Sequence, residues 1–385
     1  MATQIINPFI VAGKIAPEYF CDRREESRRL VREVTNGNNL VLISPRRMGK
    51  TGLIKFCFDK PEIKRRYETF YIDILQTTSL KEFTYLLGKE IFQRLVPHGQ
   101  RRLKQFVAIL RSIGGSFGFD PFSGSPTFNL RLGDISDPQL TIEEIFQYLE
   151  NSGVRSIIAI DEFQQISNYK EKNVEAFLRS HIQQLSATNF IFAGSERHLL
   201  QQMFLSEAGP FYNCASTMEL KPIEPPEYIS FADTLFAEYG KKLDENGVKS
   251  VYDLLDGNTF YIQKTLNLAF SKTEKGGVCT IPTLKESIFE TLTSYDTIYR
   301  EILSQTAEPQ KQLLIAIARE GNATGITSAK FIHDHALTSA SSVQAASKKL
   351  LDSNFLIRNG NTYKLQDPLL RLWLLDTYTS EYHLM

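Results

Sequence analysis

The chain has 385 residues, enough for two or three domains that each bury a core. Its 44 basic and 44 acidic side chains cancel, so no overall field draws it to nucleic acid or to a membrane, and any such binding must be local. Cys21, Cys57, Cys214 and Cys279 are far apart with no Cys-x-x-Cys pair, which argues against zinc and a disulfide framework. Met1–Pro8 lacks a basic leader followed by an apolar core, and no apolar run approaches membrane-spanning length. The expectation is a reduced, cytoplasmic protein.

Asn7-Pro-Phe-Ile10 and Phe20 precede a helix predicted over 23–36, apolar at Leu30, Val31 and Val34 and closed by Gly37. Leu40–Ile43 is a short aliphatic run of the kind that forms a buried parallel strand. It breaks into a basic loop, Ser44-Pro45-Arg46-Arg47-Met48-Gly49-Lys50-Thr51, and helical spacing resumes at Leu53, Ile54, Phe56 and Cys57. Strand, loop and helix in this order form the context of a phosphate-binding loop, where backbone N–H groups and the positive end of the helix dipole face a polyphosphate. Lys50 would pair with the β and γ oxygens of that polyphosphate, the Thr51 hydroxyl would bind Mg²⁺, and Ser44 to Thr51 with Gly52 would line the ligand. The pattern wants glycine where Ser44 stands, and serine fits there only if its backbone keeps a negative φ. By itself this stretch also reads as an ordinary strand-to-helix turn.

A second strand is predicted over 68–74, with Asp73 near its end expected to cap or tether a loop. Ser79-Leu-Lys-Glu82 makes a capping box for a helix to about Leu95. Residues 98–138 read as an insertion, a basic helix broken at Gly114-Gly115 and then a β-hairpin with alternating Phe117/Phe119 and Phe128/Leu130/Leu132. Across 98–131, Arg101, Arg102, Lys104, Arg111 and Arg131 face Asp120 alone, a net +4 that suits a nucleic-acid or partner surface or a solvated face. Thr141-Ile-Glu-Glu144 is a further capping box. The strand Ser156–Ile160 then runs into Asp161-Glu162. A carboxylate at such a strand end can hold the Mg²⁺ water shell and a second can polarise the attacking water, so Asp161 takes the first role and Glu162 the second. An acidic pair at a helix N-terminus is the bland alternative. A helix over 172–186, a strand over 189–193 and the turn Gly194-Ser195-Glu196-Arg197 follow.

A last strand is expected at 217–220, and Pro222, Pro225 and Pro226 mark the end of the core. Helical patterns over 227–240, 248–255 and 260–270 make a small lid, and Thr283-Leu-Lys-Glu286 opens a long helix reaching 301–306. From Pro309 three helices (310–319, 328–335, 340–351) lead to a hairpin, Phe355–Leu365, turning at Asn359-Gly360, the order of a winged helix. Between Pro309 and Gln366 seven basic residues oppose three acidic ones, a net +4 that suits a phosphate backbone. The third helix begins Thr338-Ser-Ala-Ser-Ser-Val-Gln344, with few long side chains to reach base edges. His333 and His335 are two apart on a helix and face different sides, which argues against a metal site.

Phe20-Cys-Asp-Arg23-Arg-Glu25, Ser44–Thr51, Ile160-Asp-Glu-Phe163 and Phe192-Ala-Gly-Ser195-Glu-Arg197 together resemble the archaeal-type ATPase family of prokaryotes, within the AAA+-related STAND group of P-loop NTPases. The resemblance extends through Gly257-Asn-Thr-Phe-Tyr-Ile-Gln263 and ends at Asp367-Pro-Leu-Leu-Arg-Leu-Trp373, covering nearly the whole chain. It implies an α/β fold, with an AAA+-like parallel-sheet core over 1–222 carrying the 98–138 insertion, a helical lid over 223–306 and a winged helix over 307–385. It also implies that the N-terminal segment passes over adenine, making Phe9, Ile10 and Arg23 candidates there; an arm packed on the sheet edge explains them equally. Ser195 would sense the γ-phosphate. Arg197 would be a charge sensor or finger, or else an exposed helix-start arginine. Ser44 and Thr259 depart from the family pattern, which has glycine at the first position and often proline at the second. The expected function is a Mg²⁺-dependent ATPase, a nucleotide-driven switch cycling between ATP and ADP, with its winged helix as a regulatory module. Alternatives are nucleotide-gated DNA binding through the winged helix and a structural nucleotide binder. A protein partner or homo-oligomer is expected; a membrane is not.

Overall fold

A computed structural model gives the fold and describes residues 7–13, 16–21, 23–95, 102, 105–106, 109–110, 117–119, 126–128 and 132–379. The chain divides into two compact units, Arg23–Lys221 and a discontinuous one of Met1–Asp22 with Pro222–Met385.

In the first unit, α1 (Arg24–Thr35) precedes β1 (Leu40–Ile43), α2 (Lys50–Phe58) and the short α3 (Pro61–Lys64). Then come β2 (Tyr67–Asp73), α4 (Leu80–Leu95), a small antiparallel pair β3 (Phe117–Phe119) and β4 (Pro126–Phe128), and α5 (Pro138–Asn151). β5 (Arg155–Asp161), a 3₁₀ turn (Phe163–Asn168), α6 (Val174–Ile182), β6 (Thr188–Gly194), α7 (Arg197–Phe204) and β7 (Ser216–Glu219) complete it. The five long strands form one parallel sheet in the order β2-β5-β6-β1-β7. All four residues of β1 are buried and β5 is buried from Ser156 onward, which is why both read as continuous aliphatic runs rather than alternating ones. β6 lies between the loop strand β1 and the carboxylate strand β5, so all three deliver their C-terminal ends to the same edge of the sheet.

α5 begins earlier than its capping-box signal. Asp137 accepts from the backbone of Gln139 and Leu140, Pro138 follows as the first helical residue, and Thr141 lies inside the helix. An Asp cap followed by proline satisfies and pre-shapes the first turn better than Thr141 could. Among the insertion's basic residues Arg102 pairs with Glu68 at 2.9 Å; Arg101, Lys104, Arg111 and Arg131, with Asp120 and Leu130, lie outside the described residues.

In the second unit the chain start is anchored among helices. Phe9 is fully buried against Phe236 and Phe270, and Asn7 and Asn267 exchange hydrogen bonds, Asn7 donating to the Asn267 carbonyl and Asn267 to that of Phe9. These partners come from α8 (Pro225–Glu238) and α10 (Thr259–Lys272), between which run β8 (Lys242–Leu243) and α9 (Glu245–Leu254). The N-terminal arm therefore packs on lid helices of its own unit. After β9 (Val278–Cys279), the single long helix expected toward residue 306 is two, α11 (Ile281–Thr293) and α12 (Asp296–Ser304). Ser294 turns its hydroxyl back to the Thr291 carbonyl at the break, and Asp296 supplies an acid to the new first turn.

The winged helix comprises α13 (Glu308–Glu320), β10 (Ala323–Thr324), α14 (Ala329–Asp334), α15 (Ala340–Asp352) and the wing β11 (Leu356–Asn359) and β12 (Thr362–Leu365). β10 adds a strand to the wing that the sequence did not announce, giving the order β10-β12-β11. α16 (Pro368–Tyr378) closes the chain, packing on α13 and also on α11 and α12. Among the described residues no helix is long and apolar enough to cross a membrane.

Candidate nucleotide site

The site is built where β1, β5 and β6 end. The β1–α2 loop keeps Ser44 out of the left-handed region, so serine is tolerated at the position that favours glycine. Ser44 is buried and its N–H donates to the Gly194 carbonyl at 3.1 Å, pinning the loop's start to β6. Left-handed backbone falls instead on Arg47 (φ 68°) and Gly49 (φ 86°). Gly49 caps α2, leaving the N–H groups of Lys50, Thr51 and Gly52 at the positive end of a helix dipole. Arg23 braces this loop from behind. Its buried guanidinium donates to the Met48 carbonyl at 3.2 Å and to the Lys221 carbonyl at 2.5 Å, and pairs with Glu26 at 2.8 Å. Pro45, Arg46 and Arg47 are exposed, whereas Met48 is buried.

Lys50 is 7% exposed and its ammonium meets two carboxylates, Asp161 at 2.7 Å and Glu162 at 2.8 Å. A buried cation is tolerable only when paired. Asp161, 3% exposed, also accepts from the Thr51 hydroxyl at 2.9 Å and the Tyr71 hydroxyl at 2.6 Å. Glu162 accepts from Gln164 at 2.7 Å and from the Ser195 hydroxyl at 2.8 Å. Burial alone would raise the Glu162 pKa; the Lys50 charge and the hydrogen bonds from Lys50, Gln164 and Ser195 outweigh it and hold the carboxyl below its ordinary range. Glu162 is thus an ionised acceptor. Burial, then the charge of Asp161, pushes the Tyr71 hydroxyl well above the usual phenol value and keeps it a donor.

Glu162 adopts left-handed backbone at φ 56°, a strained state that persists only where surroundings enforce it. The enforcing group is next in sequence. Phe163 is fully buried, with the rings of Phe192, Phe204 and Phe211 at 4.6–5.8 Å. A Cβ at Gly194 would fall 2.1 Å from Gln164 Oε1, so a side chain there would displace the amide that donates to Glu162.

The geometry brings Lys50, Thr51, Asp161, Glu162 and Ser195 into one network, and Arg46 reaches Ser195 at 3.5 Å. Arg197 does not join it through any of these contacts: its guanidinium pairs with Glu219 at 3.1 Å, and both side chains are partly exposed. Phe9 and Ile10 belong to the other compact unit, where Phe9 is enclosed and Ile10 partly buried. Asp73 accepts from the Leu75 N–H at 3.0 Å, the loop tether expected of it. Tyr71 and Gln164 went unread in the sequence. Tyr71 looks like any strand aromatic, and only the pairing of β2 with β5 carries it to Asp161.

Mg²⁺ takes oxygen ligands at about 2.1 Å in octahedral geometry, so neighbouring ligand oxygens are about 3 Å apart, and one or two carboxylates with substrate phosphates commonly suffice. The Thr51 hydroxyl and Asp161 Oδ2, 2.9 Å apart, fit that spacing and that donor chemistry.

Residues 20–265 match the family described as an ATPase domain predominantly from Archaea. The chain belongs to this ATPase family. Residues 297–376 match a second profile, described as a "probable winged helix domain". No curated protein matches the sequence. Among solved structures the ATPase is similar to the Walker-type ATPase of Pyrococcus abyssi, at 21% identity and a TM-score of 0.67, covering 95% of this chain and 99% of that one. It is similar also to the ORC2 protein of Aeropyrum pernix, in ADPNP–ADP complexes, at 12% identity and a TM-score of 0.62 over 96% of each chain. At these identities the shared property is the fold: a P-loop ATPase core followed by helices and a winged helix.

Proposed function

We propose that this family member binds ATP with Mg²⁺ and hydrolyses it, using the cycle as a molecular switch. The observation that carries the reading is the single buried network in which the loop cation and hydroxyl, Lys50 and Thr51, meet the strand-end carboxylates, Asp161 and Glu162. Lys50 exchanges its carboxylate partners for the β and γ phosphate oxygens, and the α2 N–H groups cradle the same phosphates. Thr51 and Asp161 hold the metal, which when bound neutralises charge on the transferring phosphoryl. Glu162, ionised and aimed by Gln164 and Ser195, accepts the proton of the attacking water. Ser195, on the turn after β6, couples the γ-phosphate to Glu162, and Arg46 adds positive charge beside it. Arg197 is a proposed contact of the leaving charge. The ADPNP–ADP complexes of the fold relative in Aeropyrum pernix are consistent with an adenine nucleotide as ligand.

The regulatory role of the winged helix is supported by its union with the lid in one compact unit. Within that unit Lys364 of the wing pairs with Asp256 at 2.8 Å, and Asp367 accepts from Tyr261 at 2.7 Å. The output is then a change in a protein partner or in self-assembly. A second reading, DNA binding, is favoured by a cleft of about 520 Å³ between α15 and the wing, where Gln344, Lys348, Arg358 and Tyr363 converge.

ATP turnover of the wild type beside Glu162→Gln, with calorimetric ATP binding for each and duplex DNA added in parallel, tests this. Glu162→Gln is expected to retain binding and lose turnover by about 10²-fold or more. Full turnover in the variant removes the role given to Glu162. DNA-stimulated turnover that falls steeply with salt brings the second reading forward.

A further inference from the structure

The Asp161 carboxylate is fully occupied by donors of two kinds. Oδ1 accepts from Lys50 at 2.7 Å and from the Glu162 N–H at 3.0 Å, both supplied by the phosphate loop and the strand end themselves. Oδ2 accepts from Thr51 at 2.9 Å and from Tyr71 at 2.6 Å. Tyr71 comes from β2, where it pairs with Ala159, and Asp73 pairs with Asp161. Residues two apart on a strand share a face, so the β2–β5 register sets the Tyr71 side chain diagonally across from that of Asp161. The same hydroxyl reaches Thr51 Oγ1 at 3.3 Å, and the Lys55 ammonium from α2 sits 4.7 Å from the ring centre. One phenol thus touches both residues assigned to the metal and is itself held by the helix that carries the loop.

The terminal torsion of an aspartate is broad, with no staggered wells to fix the carboxylate plane. Lys50, bound at Oδ1, pulls that plane toward itself. A Thr51 hydroxyl that turns a lone pair to a metal keeps its proton for Oδ2, and Tyr71, donating to the same oxygen from a different strand, fixes the direction in which that oxygen faces.

We propose that Tyr71 is a positioning residue for the metal, its hydroxyl fixing Asp161 so that Oδ2 stays beside Thr51 Oγ1. The proposal rests on Thr51 and Asp161 as the metal pair. Groups that orient metal ligands typically change metal affinity by about 10–100-fold when removed.

The test is Tyr71→Phe, which keeps the ring and its packing. ATP binding to the full chain is measured by calorimetry across a Mg²⁺ titration and in EDTA. The expected result is a rise of about 10-fold or more in the Mg²⁺ concentration that supports tight ATP binding, with affinity in EDTA unchanged. In an Asp161→Asn background the same substitution is expected to add nothing to the Mg²⁺ requirement, a non-additivity that a general packing role would not produce. An unchanged Mg²⁺ requirement in Tyr71→Phe, or equal losses with Mg²⁺ and in EDTA, overturns the proposal for Tyr71. Wild-type binding indifferent to Mg²⁺ overturns the metal pair itself, and so separates failure of that reading from failure of this one.

Discussion

Thr259 occupies the first turn of α10 directly after its cap, Asn258, whose side chain accepts from the Tyr261 N–H at 3.3 Å. That first helical position leaves its own N–H without an intrahelical acceptor, which is why proline is favoured there. Asn258 already has extended backbone, φ −66° and ψ 104°, as the residue before a proline must. The Thr259 hydroxyl is buried with no hydrogen-bond partner among the described residues. Thr259→Pro is therefore expected to stabilise the protein by about 0.5–1 kcal/mol, read by denaturant titration; a loss of stability would mean the local backbone does not accept the ring. The departure of Thr259 from the family pattern is thus conformationally silent, and that of Ser44 is absorbed by its negative φ. Lys50, Thr51, Asp161 and Glu162 were legible because a short contiguous motif carries each pair. Tyr71 and Gln164 were not, because neither residue type nor spacing marks an aromatic on a strand or an amide after an acidic pair as part of a site.

At the scale of elements, α16 shows how one residue can serve two purposes. Asp367 caps the helix through Oδ1, accepting from the backbone of Leu369 and Leu370, and Pro368 sets the first turn. Its Oδ2 accepts the Tyr261 hydroxyl at 2.7 Å and the Tyr299 hydroxyl at 3.2 Å, binding the closing segment to α10 and α12. Trp373, a turn and a half further on, donates to Asp296 at 2.9 Å. The two late motifs of the sequence, Gly257–Gln263 and Asp367–Trp373, are thus halves of one junction. Asp367→Ala removes a cap, about 1 kcal/mol, and the acceptor of two buried hydroxyls, about 1–3 kcal/mol each. The expected loss is about 3–7 kcal/mol by denaturant titration, with Asp367→Asn, which keeps a capping oxygen, losing less. Equal effects of Ala and Asn would show that the carboxylate charge, and not the cap, matters. Element types were largely readable from apolar period and breakers, and helix starts were less so. At α5 and α11 the true caps, Asp137 and Thr280, precede the capping-box patterns that drew attention.

For the whole molecule, the division of the chain sets what can be measured. Each unit carries its own hydrophobic core, one around Phe163, Phe192 and Phe211 with Phe70 and Phe83, the other around Phe9, Tyr228, Phe236 and Tyr261. The network of Lys50, Thr51, Asp161 and Glu162 lies wholly within Arg23–Lys221. Separate cores favour separable unfolding, so calorimetry is expected to resolve two transitions. ATP with Mg²⁺ at about 100 times its Kd should stabilise the Arg23–Lys221 transition by about 2.7 kcal/mol. A single transition moving as a whole would show that the units unfold as one. Sequence by itself determined the parallel-strand runs, the phosphate loop, the acidic strand end and the winged-helix order, because each is written in contiguous residues through periodicity, breakers or a local motif. Tertiary structure alone decided that Phe9 joins the lid core, that Arg23 supports the Met48 carbonyl, and that Tyr71 and Gln164 attend the two carboxylates. Those pairings join residues far apart in the chain, and the partner of a side chain across a sheet is set by strand order and register, which no local pattern of residues encodes.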